Sequence, residues 1–176
     1  MINSLGFCSL HATMPSLFDL GGNEQALETM RKSLFGEDLK FNWESSSTVI
    51  EGDIAGELIG GNLSIVSHIL GTHSDYEYEG KVLFLEDLDE YIYHIDRMLT
   101  QMDRVGVFSK IKALVIGGMT DMHDHDTPFG WSVEELILQR ATMYNLPVAF
   151  DFPAGHIADN RAIIFGKEVR LEVTSN

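Results

Sequence analysis

The sequence holds one cysteine, Cys8, so it can form no internal disulfide, and Cys8 stands outside any metal-ligand spacing pattern. No apolar run approaches the roughly 18 residues that a membrane span needs. Met1-Ile2-Asn3-Ser4 carries neither the basic segment nor the long apolar segment of a secretory signal. Together these absences lead to the expectation of a cytoplasmic protein. Positive charge is also scarce. Lys and Arg number 12 against 27 Asp and Glu, a formal net charge of −15. That balance repels phosphate backbones, which excludes nucleic acid and anionic membrane as partners. The acidic residues are scattered and read as a solvated surface. There is no internal repeat and no low-complexity stretch.

What is present fits one globular domain spanning residues 1–176: 44% of the residues are hydrophobic, and the length is enough to bury a core. Two apolar runs, Val82-Leu83-Phe84-Leu85 and Ala113-Leu114-Val115-Ile116, are short and bounded by turns, as in buried parallel strands. Pro147 to Phe150 reads as a third strand. Helical spacing of Ala26, Leu27, Met30 and Leu34 predicts a helix over 23–35, ended by Gly36. Ile92, Ile95, Leu99 and Met102 predict another over 88–104, with Gly106 just beyond its end. Ser132 and Glu135 form a capping box for a helix reaching Tyr144. A shorter helix is expected to follow Gly60-Gly61-Asn62 and stop at Gly71. Residues 162–165 and 169–173 read as a terminal hairpin across Gly166-Lys167. The expected fold class is α/β: a small, mainly parallel sheet with flanking helices, joined by antiparallel or barrel-like strands at 48–59 and 161–173. Gly6 to Leu10 reads as a core strand with almost nothing before it, which suits a chain cut from something longer.

Two polar residues stand out by position. Glu86 directly follows the first buried run, at the carboxyl end of a strand, where open α/β sheets gather their functional groups. His156 closes Phe152-Pro153-Ala154-Gly155-His156, just past the third strand. Parallel strand ends converge on one edge, so Glu86 can meet His156 and orient its imidazole, as acids do in nucleophile–His–acid systems. The plainer alternative has Glu86 capping the helix at 88 and His156 held in a loop. Asp87, Asp89 and Glu90 read as charge at that helix's N-terminus. A carboxylate–histidine pair needs a nucleophile, and no G-x-S-x-G elbow occurs. Cys8, set in an apolar strand, reads as inert packing. His123-Asp124-His125-Asp126 offers a metal-binding alternative on a loop. Gly60-Gly61-Asn62 lacks both the dinucleotide and the P-loop patterns and reads as close backbone packing. A non-catalytic ligand-binding or oligomerisation domain stays open beside these.

Several segments, in order, resemble one family. Glu57-Leu58-Ile59-Gly60-Gly61-Asn62-Leu63 with Gly71-Thr72 is similar to the G-x-L-x-G-G-N-L … G-T segment of the LD-carboxypeptidases, or muramoyltetrapeptide carboxypeptidases. Leu83-Phe84-Leu85-Glu86-Asp87 with Arg97-Met98-Leu99 resembles their L-x-L-E-D … R-M-L segment. Ala113 to Gly118 and Phe152 to His156 match in order and spacing. The chain departs from the pattern at His11-Ala12-Thr13-Met14, where His-Gly-Pro-Met is common, and at Tyr91-Ile92-Tyr93, where a proline often follows the acidic stretch.

The resemblance implies the C-terminal domain of a serine peptidase, with a swivelling β/β/α-like fold. Glu86 and His156 would be two members of a Ser–Glu–His triad, and an upstream domain would carry the serine. It implies hydrolysis of the amide to a terminal D-alanine in murein tetrapeptides during cell-wall recycling, with no metal or organic cofactor. The implied partners are the murein peptide, the upstream domain and a second copy in a homodimer. The chain by itself is then expected to be inactive.

Overall fold

The computed structural model describes residues 7–19, 21–45 and 50–174. In chain order its elements are β1 (Ser9–His11), α1 (Glu24–Phe35), β2 (Gly52–Asn62), α2 (Leu63–Ile69), β3 (Val82–Leu88), α3 (Ile92–Arg104), β4 (Ala113–Thr120), α4 (Val133–Met143), β5 (Val148–Ala149), β6 (Ile163–Phe165) and β7 (Glu168–Val173). Five strands form one mixed sheet in the order β5-β4-β3-β2-β7. The pairs β2–β3, β3–β4 and β4–β5 are parallel, and β7 runs antiparallel along β2. A separate antiparallel pair joins β1 to β6.

The uninterrupted apolar runs of β3 and β4 follow from their central position, because both faces of the sheet are covered. Alternation along β3 divides two cores. Leu83 and Leu85 pack with Ile95, Leu99, Met102 and Ile137 from the helices. Val82 and Phe84 pack with Ile163, Phe165 and Leu171 from β6 and β7. The same alternation assigns Glu86 to the Phe84 face and Asp87 to the helix face. A register shift against β4 between Leu85 and Asp87 marks a bulge at this point, a device that re-aims side chains beside functional sites.

The helix ends follow their local chemistry. Ser132 Oγ accepts from Glu135 N–H, and the Glu135 carboxylate accepts from Ser132 N–H, completing the capping box of α4. At the end of α3, Gly106 N–H bonds Asp103 O and Val107 N–H bonds Met102 O, the paired closure of a Schellman motif. Gly36 closes α1 in the same left-handed way.

Three expectations are corrected. The terminal turn at Gly166-Lys167 does not make a hairpin ladder: β6 pairs with β1, and β7 pairs with β2. Helix α3 begins at Ile92, not 88, because β3 continues through Leu88 and Asp89 takes a positive φ of 58°. Cys8 is exposed, as are Phe7 and Leu10, so β1 is an outer strand rather than a core one. Gly60 and Gly61 lie within β2, opposite Phe84 and Leu85 and just before α2, where the backbones pack closely as expected. Gly6 of the expected first strand and residues 48–49 of the expected strand at 48–59 lie outside the described residues. Among the described residues no helix is long and apolar enough to cross a membrane.

Candidate active site

Two residues before the end of β3 stands a carboxylate that water does not reach: Glu86 is 1% exposed. Its Oε2 lies 2.7 Å from His156 Nδ1 and accepts the His156 backbone N–H at 3.2 Å. A carboxylate only accepts, so Nδ1 carries the proton of the neutral ring and Nε2 is the base. The imidazole is half exposed, its side chain retaining 46% of its accessible surface. Glu86 therefore does not cap α3; it anchors His156.

The loop that delivers His156 is tied to the sheet end at several points. Phe152 N–H bonds Ile116 O, and Gly118 N–H bonds Ala154 O. Thr120 Oγ1 donates to His156 O at 3.1 Å, and Gly155 N–H donates to Asn160 Oδ1 at 2.9 Å. Gly155 sits at φ +108°, and a Cβ there would meet Glu86 Cβ at 2.8 Å and Oε2 at 2.9 Å. Only glycine lets the backbone turn this close to the buried carboxylate. The geometry is that of a carboxylate–histidine pair, with Nε2 on the side of the ring away from the acid and able to take a proton.

A family model for the LD-carboxypeptidase C-terminal domain matches residues 55–171. This chain belongs to the LD-carboxypeptidase family. It is 32% identical to a Synechocystis sp. protein named as a carboxypeptidase, over 95% of this chain and 54% of that protein. It is also 32% identical to the murein tetrapeptide carboxypeptidase of Pseudomonas aeruginosa, over 68% of this chain and 38% of the relative. The crystal structure of the muramoyltetrapeptide carboxypeptidase from Oxalobacter formigenes superposes with a TM-score of 0.85 at 28% identity, covering 97% of this chain and 59% of that one. The microcin C7 self-immunity protein shares the fold, with a TM-score of 0.74 at 18% identity. The chain spans about half the length of the curated relatives it matches.

In this LD-carboxypeptidase domain the residue after Glu86 has a role that its place in the sequence did not reveal. Asp87 is 2% exposed and points to the opposite face. Its carboxylate accepts from Asn62 Nδ2 at 2.7 Å, Ser64 N–H at 3.0 Å and Leu88 N–H at 2.9 Å. Asn62 in turn caps α2 by accepting from Ile65 N–H. Burial pushes the Asp87 carboxyl above the usual carboxylate range, against the pull of these donors. Asp87 thus charges the N-terminus of α2, not that of α3. Asp89 bonds His123 Nε2, and Glu90 bonds His94 Nδ1.

His11 is the second residue that position in the sequence did not single out as part of the site. Its ring packs between Phe84 and Phe165, at centroid distances of 5.6 and 5.8 Å. Its Nε2 is buried without a hydrogen-bond partner among the described residues. Burial holds its pKa below the usual 6.5; the Glu86 charge raises it and the His156 charge lowers it, which locates His11 beside the pair. The only signal was the motif His11-Ala12-Thr13-Met14, whose place in space the sequence does not reveal.

A histidine depressed on folding binds its proton more readily in the unfolded chain. Its stabilising share is therefore full above 6.5 and is lost as pH falls below that value toward the folded pKa. Thermal unfolding followed from pH 7.5 down to about 5 is expected to show a steeper loss for the native chain than for His11→Gln. Parallel curves for the two would remove His11 as the cause.

The metal alternative on the 121–131 loop meets different chemistry. His125 stacks on Tyr91 and Tyr93 at centroid distances of 4.7 and 5.3 Å. The Asp124 carboxylate accepts backbone N–H groups of His125 and Phe129. Among the described residues no group of three or more His, Cys, Asp and Glu is placed to hold a metal ion. Arg97 lies over the Tyr93 ring at 4.9 Å, a cation–π contact.

Proposed function

We propose that this domain supplies the acid and the base of a serine carboxypeptidase, with Glu86 and His156 as its catalytic residues. The observation that carries the reading is the 2.7 Å contact between His156 Nδ1 and a carboxylate sealed from water. The serine comes from an upstream domain outside this chain. Its Oγ forms a bond to the carbonyl carbon of a terminal D-alanine amide, while its proton passes to His156 Nε2. His156⁺ then gives that proton to the departing amine as the C–N bond breaks. Water, deprotonated by the same Nε2, cleaves the acyl-serine. Glu86 stays ionised throughout, holds the imidazole tautomer and offsets the charge of the imidazolium.

The names of the relatives support murein tetrapeptide as the substrate; cleavage in the cytoplasm during cell-wall recycling is part of the same proposal. Exposed apolar residues at the end of β3 and on the loops after β3 and β4, Leu88, Tyr91, Phe129 and Trp131, are consistent with a covering domain or a second copy at this edge. The test is release of D-alanine from a murein tetrapeptide by the chain alone and by the chain joined to a serine-bearing upstream domain. Release by the joined protein only is the expected result. Release by neither would favour a binding domain, and release by the chain alone would require a nucleophile within it.

A further inference from the structure

His156 stands within a loop that closes on itself. Arg161 N–H bonds Pro153 O at 2.9 Å and shuts the loop at its base. Inside it, Ile157 N–H reaches back to Gly155 O at 2.9 Å, the three-residue pattern of a γ-turn centred on His156. A single hydrogen bond holds such a turn, and this one is entered through Gly155. Close packing on Glu86 admits only glycine there, and glycine is the residue with the most backbone freedom. By composition, the joint that aims the imidazole is therefore the loosest in the loop.

Side chains from three parts of the chain remove that freedom. Asn160 Oδ1 accepts Gly155 N–H at 2.9 Å, Glu86 Oε2 accepts His156 N–H at 3.2 Å, and Thr120 Oγ1 donates to His156 O at 3.1 Å. With the bond of the turn itself, both N–H groups and both carbonyls of Gly155-His156 are held. The anchors are fixed in turn. Thr120 pairs with Leu88 at the end of β4, and its carbonyl accepts Asp89 N–H at 3.1 Å. One residue thus ties the strand that carries Glu86 to the loop that carries His156. Its β-branched side chain has little rotamer freedom. Asn160 lies between Asp159 and Arg161, which form an ion pair at 2.8 Å, and the next residue, Ala162, donates its N–H to Thr29 Oγ1 on α1 at 2.9 Å.

We infer that Asn160 and Thr120 are positioning residues for the reaction: they lock the Gly155-His156 turn, so that Nδ1 stays within hydrogen-bond reach of Glu86 and Nε2 keeps one direction. The inference rests on the hydrolase reading above, and the experiment separates the two. Displacing a reacting group by about 1 Å costs roughly 100-fold in rate, whereas one such hydrogen bond contributes modestly to the fold. The loss should therefore fall on kcat and spare both KM and folding. The joined protein is made with Asn160→Ala, Thr120→Val and Thr120→Ser. D-Alanine release from a murein tetrapeptide gives kcat and KM. The low-field proton resonance of His156 Nδ1–H, assigned by its loss in His156→Ala, reports the Glu86 contact without turnover.

Asn160→Ala is expected to lower kcat by about 10- to 100-fold and Thr120→Val by about tenfold, with KM within about twofold of native and the resonance broadened in both. Thr120→Ser keeps the hydroxyl and is expected to retain native rate and resonance. A native kcat in Asn160→Ala or in Thr120→Val removes that residue from the role. A loss in Thr120→Ser as large as in Thr120→Val, or lowered kcat with the resonance still sharp, overturns positioning and leaves the hydrolase standing. No turnover by the native protein, with the resonance broadened in Asn160→Ala and Thr120→Val and sharp in Thr120→Ser, keeps the positioning role and removes the hydrolase. Should Asn160→Ala melt well below the native protein, the two Thr120 variants decide by the same criteria.

Discussion

His156→Ala in the joined protein is expected to lower kcat by about 10⁴-fold or more, and Glu86→Gln by about 10²- to 10⁴-fold. The two losses differ in origin. Without the imidazole no group takes the serine proton. With glutamine the ring still has an oxygen to bond, but the charge that stabilises the imidazolium is gone. The double variant is expected to lose little more than His156→Ala alone, because the pair acts as a unit. The measurement is D-alanine release under saturating tetrapeptide, with thermal unfolding as the check on folding. His156 is half exposed, and its removal should leave the melting curve nearly unchanged. Turnover that persists in both single variants would exclude this pair from the chemistry.

The largest expected loss of stability belongs to Gly60→Ala. Gly60 pairs with Phe84 across the β2–β3 ladder at φ +131°. A Cβ there would stand 1.9 Å from the Phe84 carbonyl oxygen and 2.8 Å from its carbonyl carbon. Those are backbone atoms of the central strand, so no side-chain rotation relieves the overlap and β2 must separate from β3. The cost is expected at about 4 kcal/mol or more, beyond ordinary point substitutions. Gly61→Ala is the matched control. It has φ +144°, but the Cβ that alanine adds there meets nothing within 4 Å, so only backbone strain of about 1–3 kcal/mol opposes it. Urea unfolding of both variants tests this, and equal losses would show that the close approach of the strands is not what requires glycine.

The parts of the fold that sequence alone made legible are those whose cause is local. Val82–Leu85 and Ala113–Ile116 are apolar without alternation because both faces of their strands are covered, and such a run is visible in one dimension. The capping box at Ser132 and the glycines ending α1 and α3 act within one helical turn of their own residues. Glu86 and His156 could be proposed as a pair because strand ends in a parallel sheet share an edge.

Tertiary structure decided everything that depends on which residues, distant in the chain, come to lie together. Composition around Gly166 marks a turn, but it cannot tell β6 to pair with β1 or β7 with β2, since each choice closes a long loop at similar cost. Asp87 looked like one more acid before α3; alternation along β3 puts it on the helix face, where it bonds α2, 23 residues earlier at Ser64. His11 became a site residue only when β1 paired with β6 and set its ring against Phe84, two positions from Glu86. Side-chain type and periodicity fix a residue's element and face, whereas contact between Glu86 and His156, 70 residues apart, is settled only by packing the whole sheet and its loops.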